Sequence, residues 1–365
     1  VKRPDMNAAG RLLAERGRVG EGDAVLILTH DEGLPLADAL YVECYRHGAV
    51  PLAVVRQEEA EVEVLREVAA NNVARVRPHL AALVEHSDVV FFLYSQEKDP
   101  ALFADVARAK LAAKMESRAP IQDVLYDGRR RVIITDFPTA AQAAFFEVDY
   151  EKYHDAFWRA LDVEYDALAA RVGRVASFME GRREVHITSA AGTDVHLNVA
   201  GRPVFTDDGL VGMPAEGDGD TLLNLPCGEV CLAPHEDGAE GTVVFDFAFV
   251  AGTRIKALEV RFTKGRATLV GAAAGFERAV DFFAAGTGDP YVIAELGIGA
   301  NTALVKPFGS ILMDEKIAGT AHLALGDNRT MGGGNSSSVH QDMMILGPRL
   351  SCDGELLLAE GEIKI

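Results

Sequence analysis

Short runs of β-branched and aromatic residues alternate with amphipathic stretches through roughly the first 150 residues. Ala24 to His30, Val50 to Val55, Asp88 to Ser95 and Arg131 to Phe137 read as strands. Between them, Leu36, Leu40 and Cys44 recur four apart on one helical face. The Ala-rich segment Leu102 to Met115, with apolar positions at Leu102, Val106 and Leu111, predicts another helix. Strands separated by helices require right-handed crossovers, so this part is expected to be α/β, on a parallel sheet covered on both faces. The turn after the first strand, Thr29-His30-Asp31-Glu32-Gly33, lacks GxGxxG and carries two carboxylates that repel phosphate. A dinucleotide site is therefore not expected.

From Asp162 to Glu180, the three- and four-residue spacing of Tyr165, Leu168, Val172, Val175 and Phe178 predicts a helix. The pattern then changes to strand pairs. Glu184 to Ser189 and Thr193 to Val199 alternate around Ala-Ala-Gly, and Ala257 to Thr263 and Ala267 to Val270 flank Lys264-Gly265-Arg266. Phe276 to Ala285 is one helical interruption, and the alternating Glu355 to Ile365 closes a strand-like C-terminal stretch. The expected organisation is an N-terminal α/β domain over 1–160, a connecting helix over 161–183, and a β-rich α+β domain over 184–365.

Composition narrows the partners. The 365 residues are 48% apolar and 25% charged, an ordinary globular balance. Lys and Arg number 36 against 55 Asp and Glu, a net charge of −19. That surplus disfavours nucleic acid and anionic membranes, which both need a cationic face. No apolar run is long enough to span a bilayer, and Val1 to Asp5 hold no hydrophobic leader, so a cytoplasmic location is expected. Cys44, Cys227, Cys231 and Cys352 are too scattered for a disulfide framework. Cys227 and Cys231 lack the second pair a zinc site needs and read as core thiols.

The chemistry concentrates between residues 295 and 342: Glu295, Asp314-Glu315, His322, then His340-Gln341-Asp342. His340 and Asp342, two apart in a strand, project to one side and can reach one ion together. The preceding Gly332-Gly333-Gly334 run is expected to let backbone approach a ligand closely. His322 and Glu295 lie inside apolar runs, where an imidazole or carboxylate is costly unless paired or metal-bound. Glu229, in Asn224-Leu225-Pro226-Cys227-Gly228-Glu229, is a weaker signal alone. Glu315 reads equally as a surface acid or as a group supporting the ligands.

Together these segments resemble the aminopeptidase T family of metallopeptidases. The likeness is carried by Asn224-Leu225-Pro226 with Glu229, the Glu295 strand, Asp314-Glu315, His322-Leu-Ala-Leu-Gly326 and Gly334-Asn335-Ser336 leading to His340-x-Asp342; Glu184 to Gly201 also matches. The resemblance implies an N-terminal α/β domain, a metal-binding catalytic domain, a homodimer and a peptide or small amide substrate. It implies Glu229, Glu295, His322, His340 and Asp342 as ligands to two divalent ions (Zn, Co or Mn), with Glu229 also catalytic. In that chemistry one ion polarises the scissile carbonyl, the other activates water, and a carboxylate takes the proton.

The chain departs from the family where a tyrosine is expected after the His-x-Ala-x-Gly segment; here Arg329 stands in Gly326-Asp327-Asn328-Arg329. It is a catalytic candidate, either as an oxyanion donor or as a bidentate binder of a substrate carboxylate. The same superfamily includes 2,5-dihydroxypyridine dioxygenase, so one Fe(II) held by His322, His340 and Asp342 is the alternative. Glu229 and Glu295 exceed what one such iron needs, which favours hydrolysis.

Overall fold

A computed structural model of the chain describes residues 4–214, 221–250 and 253–365. Val1, Lys2 and Arg3, on which the expectation of no leader partly rests, lie outside the described residues. The chain divides into two compact units, Val1–Asp162 with Gly209–Pro226, and Val163–Asp208 with Cys227–Ile365.

The first unit is built on a five-stranded parallel sheet in the order Val50–Arg56, Ala24–His30, Val89–Phe92, Arg131–Ile134, Leu222–Asn224. Alternate residues face opposite sides of a strand, and both sides are covered. On one, Leu26, Leu28, Val90 and Val132 pack with Val84, Ile121 and Leu125 from the helices Pro78–Glu85 and Arg108–Leu125. On the other, the C-terminal end of the helix Met6–Arg16 rests on the sheet. Gly17 sits so close to Phe91 and Ile133 that a methyl group there would meet Phe91 Cζ at 2.6 Å.

The helix expected over Leu102 to Met115 is displaced. Asp99 accepts from the Ala101 amide and Pro100 follows, so Pro100–Phe103 forms a 3₁₀ turn; the α-helix begins at Arg108 and runs to Leu125. Leu102, Val106 and Leu111 instead pack about Val62 and Leu65.

The second unit carries the helix Tyr165–Met179 and a 13-stranded, largely antiparallel sheet. The hairpin expected around Ala-Ala-Gly forms from Glu184–Thr188 and Asp194–Asn198, and the helix Phe276–Ala285 is present. The fold is thus a parallel-sheet α/β portion followed by a strand-rich portion, as the hydrophobic pattern predicts. No helix among the described residues is long and apolar enough to cross a membrane.

Candidate metal centre

Four adjacent antiparallel strands of the second unit build the site: Glu229–Leu232, Ile293–Gly299, Ala321–Gly326 and His340–Ile345. Residues directly opposite across a ladder share a face, so the register decides which side chains meet. Glu229 stands opposite Gly299, His322 opposite Gly297, Asp342 and Glu295 opposite Ala324, and His340 opposite Gly326. Each donor therefore faces a glycine or alanine on the neighbouring strand. The small residues leave one face of the sheet open for five polar side chains to converge. A register irregularity between Ile293 and Glu295 re-aims the Glu295 side chain locally.

The five predicted ligands do meet. His322 Nε2 lies 2.9 Å from Glu229 Oε1, 3.4 Å from Glu295 Oε1 and 3.9 Å from Asp342 Oδ1. His340 Nε2 lies 3.0 Å from Glu295 Oε2 and 3.5 Å from Asp342 Oδ1. His340 Nδ1 is 2.7 Å from the Asp327 carbonyl oxygen, which can only accept, so the proton sits on Nδ1 and Nε2 is turned to the carboxylates. His322 has no exposed surface, and Glu229 and Glu295 are buried.

Burial works to raise Glu295, but the His322 and His340 imidazoles beside it override burial and hold the carboxyl well below the usual range. Burial likewise works to lower both imidazoles, yet Glu229 and Glu295 lift His322, and Asp342 and Glu295 lift His340, far above the ordinary value.

The atoms fit a cation. Glu229 Oε1, His322 Nε2 and Asp342 Oδ1 are buried without a hydrogen-bond partner, despite the short separations among them. Orphaned polar atoms of this kind are costly in a folded interior. Oxygen and imidazole donors around one point are what a borderline divalent ion requires.

Three further residues belong here that the sequence reading missed or left open. Lys316 has no exposed side-chain surface; its Nζ pairs with Glu229 Oε2, lies 3.0 Å from Glu315 Oε1 and 3.1 Å from Asp207 Oδ2. Asp207, in the strand Phe205–Asp207, stands opposite Glu229 in the ladder. Burial pushes Asp207 up to about 7 and Glu315 up to about 8, against the pull of Lys316. Glu315 is thus a buried neighbour of the ligands rather than a surface acid. Asp314 turns away: its carboxylate accepts the Phe308 and Gly309 amides at 2.8 and 2.6 Å. Cys227 is a core thiol, whereas Cys231 brings its sulfur within 4.8 Å of carboxylate oxygens of Glu229 and Glu295.

Arg329 sits in a 3₁₀ turn, its side chain 56% exposed and its Nε held 2.8 Å from Asp327 Oδ2. The glycine run before His340 serves protein contacts. A side chain at Gly333 would collide with Asn328, and Glu236 Oε1 accepts from Asn328 Nδ2 and the Gly334 amide at 2.9 and 2.7 Å. A separate group, His186, Asp194 and His196, lies on the exposed face of the first hairpin. There His186 bonds Asp194 and His196 bonds Glu184.

Two solved structures share the fold. Wild-type AmpT from Thermus thermophilus is 20% identical over 99% of each chain, with a TM-score of 0.84. The 2,5-dihydroxypyridine dioxygenase from Pseudomonas putida KT2440 is 18% identical over 100% of this chain and 98% of that one, with a TM-score of 0.66. No curated protein matches the chain. The family model described as Thermophilic metalloprotease (M29) matches residues 6–363. A match of that extent takes in all four strands of the centre, and the chain belongs to the thermophilic metalloprotease family.

Proposed function

We propose that the chain is a metal-dependent aminopeptidase that releases the N-terminal residue of short peptides. The observation that carries this reading is the convergence of unpartnered, buried Glu229 Oε1 and Asp342 Oδ1 on His322 Nε2. Family membership supports the peptidase class, and the resemblance of the motifs to the aminopeptidase T family supports attack at the N-terminus.

Glu229, Glu295, His322, His340 and Asp342 are the ligands in this reading. A bound divalent ion supplies Lewis acidity: it polarises a carbonyl and lowers the pKa of water at the site. Glu229 accepts the proton of the attacking water and returns it to the leaving amine. The Asp327 carbonyl orients His340, while Lys316, itself held by Glu315, fixes the second oxygen of Glu229. The surrounding carboxylates attract the substrate's free ammonium and so select N-termini. Arg329, anchored by Asp327, binds the C-terminal carboxylate of short substrates.

One observation favours a second reading, ring cleavage by one Fe(II): Asp342 Oδ1 lies near the Nε2 atoms of both His340 and His322, a two-histidine, one-carboxylate set. Glu229 and Glu295 weigh against it, because they crowd positions that oxygen and an aromatic substrate need.

The test is to incubate metal-loaded protein with a short peptide and with its N-acetylated form. Release of the first residue from the free peptide alone, lost on chelation, is expected. Cleavage of both forms, or of neither, contradicts the proposal.

A further inference from the structure

The donors of the centre fall into three overlapping groups. They are Glu295, His322 and Asp342; Glu229, Glu315 and His322; and Glu229, Cys231 and Glu295. A dinuclear hydrolase would place its ions about 3.5–4 Å apart on two such groups. In this chain a cation already stands on the second group. An ammonium has three donors and no acceptor, and Lys316 Nζ meets three carboxylate oxygens: Glu229 Oε2, Glu315 Oε1 and Asp207 Oδ2.

The position is fixed by the fold as well as by charge. Lys316 follows the short helix Ile311–Asp314, whose Asp314 carboxylate closes the preceding turn on the Phe308 and Gly309 amides. The Lys316 amide donates to the Met313 carbonyl, and its own carbonyl accepts from the Asn301 amide at 2.8 Å. Gly299, opposite Glu229, permits this packing: a methyl group there would strike the Ile317 carbonyl and lie 2.8 Å from the Glu315 carbonyl oxygen. The side chain is fully enclosed, so it has no solvated alternative to which an incoming ion could displace it without moving the segment.

We infer that Lys316 holds the place of a second cation, so that this centre takes one divalent ion per chain. A second ion would have to take Glu229 Oε2 and Glu315 Oε1 from the ammonium while standing beside its charge, and like charges at that separation repel strongly in a buried site. The inference rests on Glu229, Glu295, His322, His340 and Asp342 being metal ligands, and it revises the two ions that the family resemblance implies to one. A lysine in this role is a permanent cation: dialysis and chelators remove the metal but leave one oxygen of Glu229 neutralised and oriented.

The experiment is a metal count, read without turnover. Full-length protein is equilibrated with excess Mn(II), freed of unbound ion, and measured for manganese per chain, with electron paramagnetic resonance on the same sample. One ion per chain with the signal of an isolated Mn(II) is expected, and Lys316→Ala should raise the count to two with a spin-coupled signal. Should that variant not fold, the neutral, near-isosteric Lys316→Gln is counted instead. Two ions in the unaltered chain, none at all, or a count still at one in the folded variant would each overturn the inference. Peptidase activity is assayed separately: two ions with N-terminal release sinks only the lysine assignment, whereas one ion without release sinks only the aminopeptidase reading.

Discussion

Gly297 stands directly opposite His322 in the antiparallel ladder, and a methyl group on it would overlap the imidazole and lie 2.6 Å from Glu229 Oε1. The absence of a side chain on one strand is thus what lets the histidine of the next strand reach two carboxylates. Gly297→Ala is expected to push the ring off its partners and weaken metal affinity on the order of 100-fold, the scale seen when the support of a metal ligand is lost. Isothermal calorimetry with Zn(II) measures it. Affinity within a factor of about three of the parent would show that the close approach has no functional weight.

His340 is the most exposed of the five ligands, with a third of its side chain accessible, so its replacement leaves little void. His340→Ala should abolish metal retention and, because it takes one of two imidazoles from the buried Glu295 carboxylate, lower metal-free stability by about 1–3 kcal/mol. Elemental analysis after dialysis, paired with urea unfolding, checks both halves.

Glu229→Gln separates the two chemistries. It keeps the shape but removes the charge facing His322 and Lys316. In a hydrolase it should lower kcat by about 10²–10⁴-fold, the contribution of a positioned proton acceptor. Steady-state peptide hydrolysis reads this directly, and a variant retaining more than a tenth of parental kcat would remove Glu229 from the catalytic role.

Much of this arrangement was legible before the structure. The β-branched runs located four strands of the parallel sheet, and the burial cost of Glu295 and His322 in apolar runs marked them as paired or ligating. The fifth strand, Leu222–Asn224, escaped notice because three residues carry no periodicity, and its partner Arg131–Ile134 is some ninety positions earlier. Lys316 escaped for a different reason. Asp314-Glu315-Lys316 has the composition of a solvated turn, and only tertiary packing around Gly299 and Asn301 buries it. The glycines and alanine opposite the ligands were visible as residues, but their purpose depends on strand register, which a single sequence does not disclose.

Acid should weaken the first unit through His30. The ring is 1% exposed, its Nδ1 accepts from the Gly33 amide at 3.2 Å, and burial lowers its pKa from 6.5 to about 4 despite the opposing pull of Asp31. Between those values the unfolded chain binds the proton more readily than the folded one. The contribution is therefore fully present above pH 6.5 and lost as pH falls toward 4, to a maximum of about 3 kcal/mol. Urea unfolding at pH 7.5 and 5 should show the loss in the parent and a flatter profile in His30→Gln. Equal slopes would contradict it.

Arg329 offers a test of substrate recognition. Its exposed guanidinium, braced on Asp327, suits a carboxylate at the far end of a short peptide. Arg329→Ala should raise KM for dipeptides by about 10-fold, consistent with a lost charged hydrogen bond, and leave C-terminally amidated dipeptides unchanged. A fall in kcat of equal size for both substrates would instead place the arginine at the oxyanion.

The most direct measurement compares the two chemistries in one preparation. Protein stripped of metal is reconstituted separately with Zn(II), Mn(II), Co(II) and, anaerobically, Fe(II). Each sample is then assayed for amino acid release from short peptides and for oxygen uptake with a dihydroxypyridine. Peptide hydrolysis with at least one of the first three ions, and no oxygen uptake with any, is expected. Oxygen uptake confined to the Fe(II) sample, with no residue released from any peptide, would contradict it.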